Sequence, residues 1–266
     1  MRGNSSNILV AILTIATLFA LTGYQVTSEP SAVRLLGRLG AALIELDRWL
    51  PAHRDDVELQ ARDRPNQPLS LDGLPIDVAI PASAALEAPE PVLRATIVEA
   101  MGRKLYDEGY GAIEDEEGES HLGITEPLRW AVDALDRSAH SFWRIVAIIA
   151  GLTLAAVCVS HIWVRRSPLP GLAVGSAITA VFAIVLWLGV SAIGSSVGGA
   201  IDEEIARVAQ DGVWLGLRNS LAATAISLGG LYAYNSLLGR HDEERWDAWE
   251  DEYEGQEPES REAPPY

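Results

Sequence analysis

Residues 143–198 read WRIVAIIAGLTLAAVCVSHIWVRRSPLPGLAVGSAITAVFAIVLWLGVSAIGSSVG. Two apolar runs, 143–164 and 171–198, are separated only by RRSPLP (165–170). A bilayer-crossing helix needs about 17–25 mostly apolar residues, and each run is that long. So short a linker between two such runs predicts a membrane hairpin. Its arginines, Arg165 and Arg166, sit directly at a helix end. Short loops rich in arginine and lysine stay in the cytoplasm, so this loop is expected inside.

Working outward, two further apolar runs occupy 8–24 and 213–238. Four crossings then place residues 1–7 inside, the block 25–142 outside, the loop 199–212 outside, and the tail 239–266 inside. Arg2 and Arg240 both fall at cytoplasmic ends under this arrangement. The first run follows MRGNSSN, and its apolar stretch ILVAILTIATLFALTG is long for a secretory signal. The following YQVTSEPSA offers no good small-x-small site, which favours an uncleaved signal anchor over a cleaved signal peptide. Aromatic residues mark expected interfaces. Trp143 and Trp163 bracket the second run, Trp214 opens the fourth, and Tyr232 and Tyr234 lie near its end. The expected fold is an α-helical integral protein of the cell membrane, with four transmembrane helices. An α+β extracytoplasmic domain is inserted between helix 1 and helix 2, and both termini are cytoplasmic.

The formal net charge is −17. The block 25–142, the loop 199–212 and the tail are each acidic, and the remaining segments carry only arginines. A nucleic-acid partner is excluded, because such proteins need a positive footprint. Cys158 is the single cysteine and lies within the second run, so no disulfide forms within one chain. It reads as a small apolar filler.

Within the outer block, SAVRLLGRLGAALIELDRWL (31–50) reads as one amphipathic helix ended by Pro51. Leu35, Leu36, Leu39, Leu43, Leu46 and Leu50 form its apolar stripe, opposite Arg34, Arg38, Glu45 and Arg48. The polar residues 52–70 read as a loop. LPIDVAIP (74–81) alternates Ile76, Val78 and Ile80 as a short strand. A second helix is expected from Pro91 through Leu93, Ile97, Met101 and Leu105 to a Gly109 cap. Residues 110–124 read as a hairpin with an acidic tip. Thr125 is expected to cap a third helix in which Arg129, Asp133 and Arg137 pair at steps of four. With no breaker in sight, that helix is expected to continue into the second membrane run.

Chemistry-bearing candidates are few. The acidic turn 114–119 offers clustered oxygen ligands to a hard divalent cation, but it lacks the alternating spacing of a calcium loop. A solvated tip is the plainer reading. No hydrolase elbow, phosphate loop, zinc site or dinucleotide signature occurs, and the five histidines lack ligand spacing. No catalytic, cofactor-binding or metal residue is therefore assigned. Arg218, with Asn219 beside it, stands about one turn into the fourth run. An intramembrane charge marks a functional candidate, against which stand snorkelling and neutralisation by Asp202, Glu203 or Asp211. The pairs Gly171/Gly175, Gly194/Gly198 and Gly212/Gly216 recur at the small-xxx-small step that lets membrane helices approach closely. They favour packing within the bundle or between copies over a pore lining.

The tail RHDEERWDAWEDEYEGQEPESREAPPY (240–266) carries 11 acidic residues and 3 arginines. If helical, it sets Trp246, Trp249 and Tyr253 on one face, a hook for a partner groove. After Gly255 its composition is that of a disordered segment. The sequence thus favours a non-enzymatic interaction, sensing or assembly protein. Its partners are the lipid bilayer, proteins bound by the outer domain and the tail, and further copies of itself. The alternative is a transporter or channel component using Arg218 and the small, polar faces of the third and fourth runs.

Overall fold

The computed structural model describes the backbone of residues 2–71, 74, 76–113, 126–164, 166–196 and 200–254. Side chains are described within these ranges except at 2–5, 126–128, 195, 196, 200–202 and 237–254. Helix α1 (Arg2–Val26) leads into α2 (Glu29–Leu43) and α3 (Leu46–Asp63). Strands β1 (Pro68–Ser70) and β2 (Ala79–Pro81) follow, then α4 (Ala82–Glu87), α5 (Glu90–Glu108) and a 3-10 turn at Gly109–Ala112. Helices α6 (Glu126–Asp133), α7 (Arg137–Trp163), α8 (Leu169–Ser196) and α9 (Ala200–Glu254) complete the described chain.

Among the described residues, three helices are long and apolar enough to cross a membrane: Ser6–Val26, Arg137–Trp163 and Leu169–Gly194. Helix α9, which contains the run 213–238, is not among them. Arg218, Asn219 and several serines, glycines and tyrosines lower its hydropathy. It nevertheless packs along α8 in the most extensive contact between any two elements, and α1 packs against α7, α8 and α9.

Glycines set the directions of these helices. A β-carbon at Gly171 would lie 2.7 Å from Val10 Cβ and 2.8 Å from the Asn7 carbonyl oxygen. One at Gly175 would lie 2.5 Å from the Ala11 carbonyl oxygen, so α8 runs parallel to α1 at backbone-contact distance. Gly216 faces Thr22 and Gly212 faces Val26, which makes α9 antiparallel to α1. Gly23 faces the Trp143 ring while Ser6 meets His161, so α7 is antiparallel too. Of the small-xxx-small pairs, Gly171/Gly175 and Gly212/Gly216 both face α1, and Gly194 faces Ala206. Gly198 lies outside the described residues.

The described residues of 27–136 form a helical head at the end of the bundle where α1 stops and α7 starts. Its core is built from Leu35, Leu36 and Leu39 of α2, Leu46 and Leu50 of α3, and Leu93, Ile97, Met101 and Leu105 of α5, with Ile76 and Ile80. Helices α2 and α5 cross at two glycines. A Gly102 β-carbon would lie 2.0 Å from the Val33 carbonyl oxygen, and one at Gly37 would lie 2.3 Å from that of Val98. Helix α5 begins with Pro91 in its first turn and ends at Gly109, whose φ of 64° suits glycine. Strands β1 and β2 pair antiparallel with Leu69 opposite Ile80, and the Leu71 N–H donates to Val78 O.

Three expectations are corrected here. The helix expected over 31–50 breaks at Ile44–Glu45, where Glu45 adopts a left-handed φ of 47°. The turn re-aims the chain so that Leu46 and Leu50 remain in the core with Leu36 and Leu39. Pro51 does not end the helix. It lies inside α3, one turn past its start, and forfeits the backbone hydrogen bond that residue 51 would give to the Asp47 carbonyl. The expected loop 52–70 is helical to Asp63, because Leu46, Leu50, Val57 and Ala61 form a narrow buried stripe within a polar composition. Arg54, Glu58 and Arg62 pair along its surface at steps of four.

The third helix is also not continuous with the membrane run. Asp136 is an N-cap, its Oδ1 accepting from the Ala139 N–H at 2.7 Å, and it starts α7 anew. Arg137 consequently bridges to Asp107 at 2.7 Å rather than to Asp133, which pairs with Arg129 at 3.9 Å. Of the expected hairpin 110–124, the first residues form the 3-10 turn. Its acidic tip and Thr125 lie outside the described residues.

Candidate functional site at the junction of head and bundle

The first turns of α9 belong to the head. Val208 is buried in the head core and Ile205 packs against it. Arg38, on the polar face of α2, reaches across to this part of α9. Its Nη1 donates to Asp211 Oδ2 at 2.8 Å, and its Nε lies 2.7 Å from Glu204 Oε1. The second contact is one of charge only, since that N–H does not point along the oxygen and Oε1 accepts no hydrogen bond. Glu204 is largely buried, its side chain 12 % exposed. Arg207 closes the group by pairing with Glu203 at 2.5 Å and Glu204 at 3.4 Å.

About two turns further along α9 from Asp211, Asn219 is half-buried against α1. Its Nδ2 donates to Gln25 Oε1 at 2.7 Å and reaches Thr22 Oγ1 at 3.5 Å. Between packed helices such a bond favours one rotation and register, because a half-buried amide left unpaired is costly.

Arg218 points elsewhere. It is exposed and lines a cavity of about 350 Å³ together with Arg34, Arg38, Ser31, Asp211 and Trp214. The acidic residues considered as its partners are engaged otherwise: Asp211 with Arg38 and Glu203 with Arg207. Asp202 has no described side chain. Two neighbouring hollows differ in character. A groove of about 620 Å³ on the far side of Arg38 is lined by Arg48, Arg94 and Arg207 with Glu45, Asp47, Glu203 and Glu204. Its charges are paired, Arg94 with Asp47 at 2.7 Å and Arg48 with Glu45 at 2.6 Å. The Arg94 hydrogen bond, aided by its charge, holds the Asp47 carboxyl below its ordinary pKa. An apolar cleft of about 330 Å³ lies between the helices and is lined by Phe19, Gly23, Trp143, Phe182 and Val213.

The described histidines have structural partners. His161 Nδ1 lies 2.9 Å from the Val157 carbonyl and Nε2 meets Ser6. His140 stacks on Tyr24 and His53 on Trp49. Among the described residues, no group of three or more histidine, cysteine or carboxylate side chains could hold a metal. The turn 114–119 and the side chains of Trp246, Trp249 and Tyr253 lie outside the described residues. The backbone of the last three is helical within α9.

Sequence reasoning singled out Arg218 and Asn219 but missed Gln25, Arg38 and Glu204. Arg38 and Glu204 are more than a hundred residues apart, and each reads locally as one charge on a solvated face. Compared with known protein families, curated protein sequences and solved structures, the chain matches none.

Proposed function

We propose that the chain is a four-span protein of the cell membrane that acts by interaction, as a sensing or assembly component, with no chemistry of its own. The head lies outside the cell and both chain ends lie inside. The arginines at Arg2, Arg165, Arg166 and Arg240 support this orientation through the cytoplasmic preference of basic short loops. The antiparallel packing of α9 on α1 supports counting 213–238 as the fourth span, since it completes an up-and-down bundle.

The observation that carries the functional reading is the reach of α9. One helix starts inside the head at Glu204 and Val208, passes along the bundle, and extends to Glu254. A rigid element shared by the head and the tail transmits what the head binds to what the tail binds. On the continuing helix, Trp246, Trp249 and Tyr253 have the spacing of one partner-facing stripe.

The test is to isolate the full chain with its native lipids and bound proteins, beside a chain ended before His241 and an Arg38→Gln variant. Proteins that rebind the purified full chain are expected, with one class lost on truncation and its affinity changed by Arg38→Gln. Absence of any rebinding protein would overturn the reading. So would solute flux into vesicles that requires Arg218, which is the behaviour of a transporter.

A further inference from the structure

We propose that the cavity lined by Arg34, Arg38 and Arg218 is a binding site for the phosphate headgroup of an anionic phospholipid. The first ground is charge. The protein carries −17 overall, yet this cavity is lined by three arginines and a single carboxylate. That carboxylate, Asp211, is already held by Arg38. Arg34 and Arg218 are exposed and have no ion-pair or hydrogen-bond partner among the described residues, so two positive charges remain unmatched at one place. The paired groove on the far side of Arg38 shows what the same region looks like when its arginines are satisfied from within.

The second ground is depth. Val26, the last residue of the apolar span of α1, lines the cavity. Asn219, next to Arg218, bonds to Gln25, one residue earlier on α1. The cavity therefore lies at the level where the hydrocarbon-matching segment of α1 ends, and headgroup phosphates occupy that level. Trp214 on its rim is the residue type that settles there. The third ground is donor chemistry. Guanidinium forks match phosphate oxygens in pairs, and the Ser31 hydroxyl on the same wall adds a neutral donor. Charge and paired donors together favour an anionic headgroup at this level. The inference needs the bundle to sit in a bilayer but is independent of any protein partner, so it can fail or hold separately from the interaction reading.

The experiment places the purified full chain in vesicles of equal phosphatidylcholine and phosphatidylglycerol and measures which lipid stays at the protein, by spin-labelled lipid or by mass of the retained complex. Preferential retention of phosphatidylglycerol is expected, falling about fivefold for each arginine neutralised in Arg34→Gln and Arg218→Gln. Arg48→Gln, in the paired groove, should leave the preference unchanged. If a glutamine variant does not fold, Arg34→Lys and Arg218→Lys keep the charge and remove the fork, and they should show a reduced preference. Equal retention of both lipids by the unaltered chain overturns the proposal. A preference untouched by the Arg34 and Arg218 substitutions does so too. Inorganic phosphate displacing the lipid and matching its stabilisation would mark a soluble-anion site instead, and would also overturn it.

Discussion

Glu45 carries a left-handed φ of 47° on a side chain that has no intrinsic preference for it. Such a residue costs about 1–2 kcal/mol relative to the right-handed region. The Arg48–Glu45 pair at 2.6 Å is well exposed, so it offsets little of that cost. Glu45→Gly should therefore stabilise the protein by about 1 kcal/mol, read as a rise in the thermal midpoint of the full chain. At Asn219 the expectation has the opposite sign. Asn219→Ala strands Gln25 in a half-buried contact, and a double-mutant cycle with Gln25→Ala should return a coupling of roughly 0.6–1.7 kcal/mol. No coupling would mean that water already satisfies both amides.

At the scale of elements, close approach of helices depends on positions without a β-carbon. Gly102→Ala forces the new carbon into the Val33 carbonyl region, so α2 and α5 must separate, at a cost of about 1–3 kcal/mol. Gly151→Ala on α7 meets no atom within 4 Å and should hold or slightly raise the melting midpoint, since alanine is the better helix former. The link between α3 and α5 brings a pH dependence. Asp47 is held below its ordinary pKa by Arg94. Its contribution is complete above the unfolded-state value and fades as pH falls through the depressed folded-state value. Asp47→Asn should lower the melting midpoint slightly at neutral pH, and the two proteins should converge as pH falls below about 4. The effect is small, because the pair is solvent-exposed.

At the scale of the whole molecule, head and bundle are joined through α1, through Asp136 and α7, and through the Arg38 anchor on α9. Arg38→Gln leaves the buried Glu204 with only Arg207 for charge balance, a loss of roughly 1–3 kcal/mol. Hydrogen exchange should then rise at residues 203–211 of α9, while α7 and the middle of α8 keep their protection. Uniform loss of protection would show that the anchor supports the entire fold rather than one junction.

Local physics was legible in the residue order. Transfer of apolar side chains out of water marks the runs that became α1, α7 and α8, whatever else surrounds them. Backbone preference alone placed Pro91 and Gly109 at the two ends of α5. The leucine stripe of α2 and α3 was legible too, and five of its six leucines, Leu35, Leu36, Leu39, Leu46 and Leu50, are buried in the head core. Where local signals were weak, the reading failed: a narrow four-residue stripe hid α3 inside a polar stretch, and Asp136 capped a helix that looked uninterrupted. The tertiary structure alone decided which charges meet. Arg38 took Glu204 and Asp211 from the far side of the sequence, and this left Arg34 and Arg218 facing one cavity without partners. Charges attract over distances set by packing rather than by separation along the chain. Their pairing, and the sites that unpaired ones create, therefore exist only once the helices are in place.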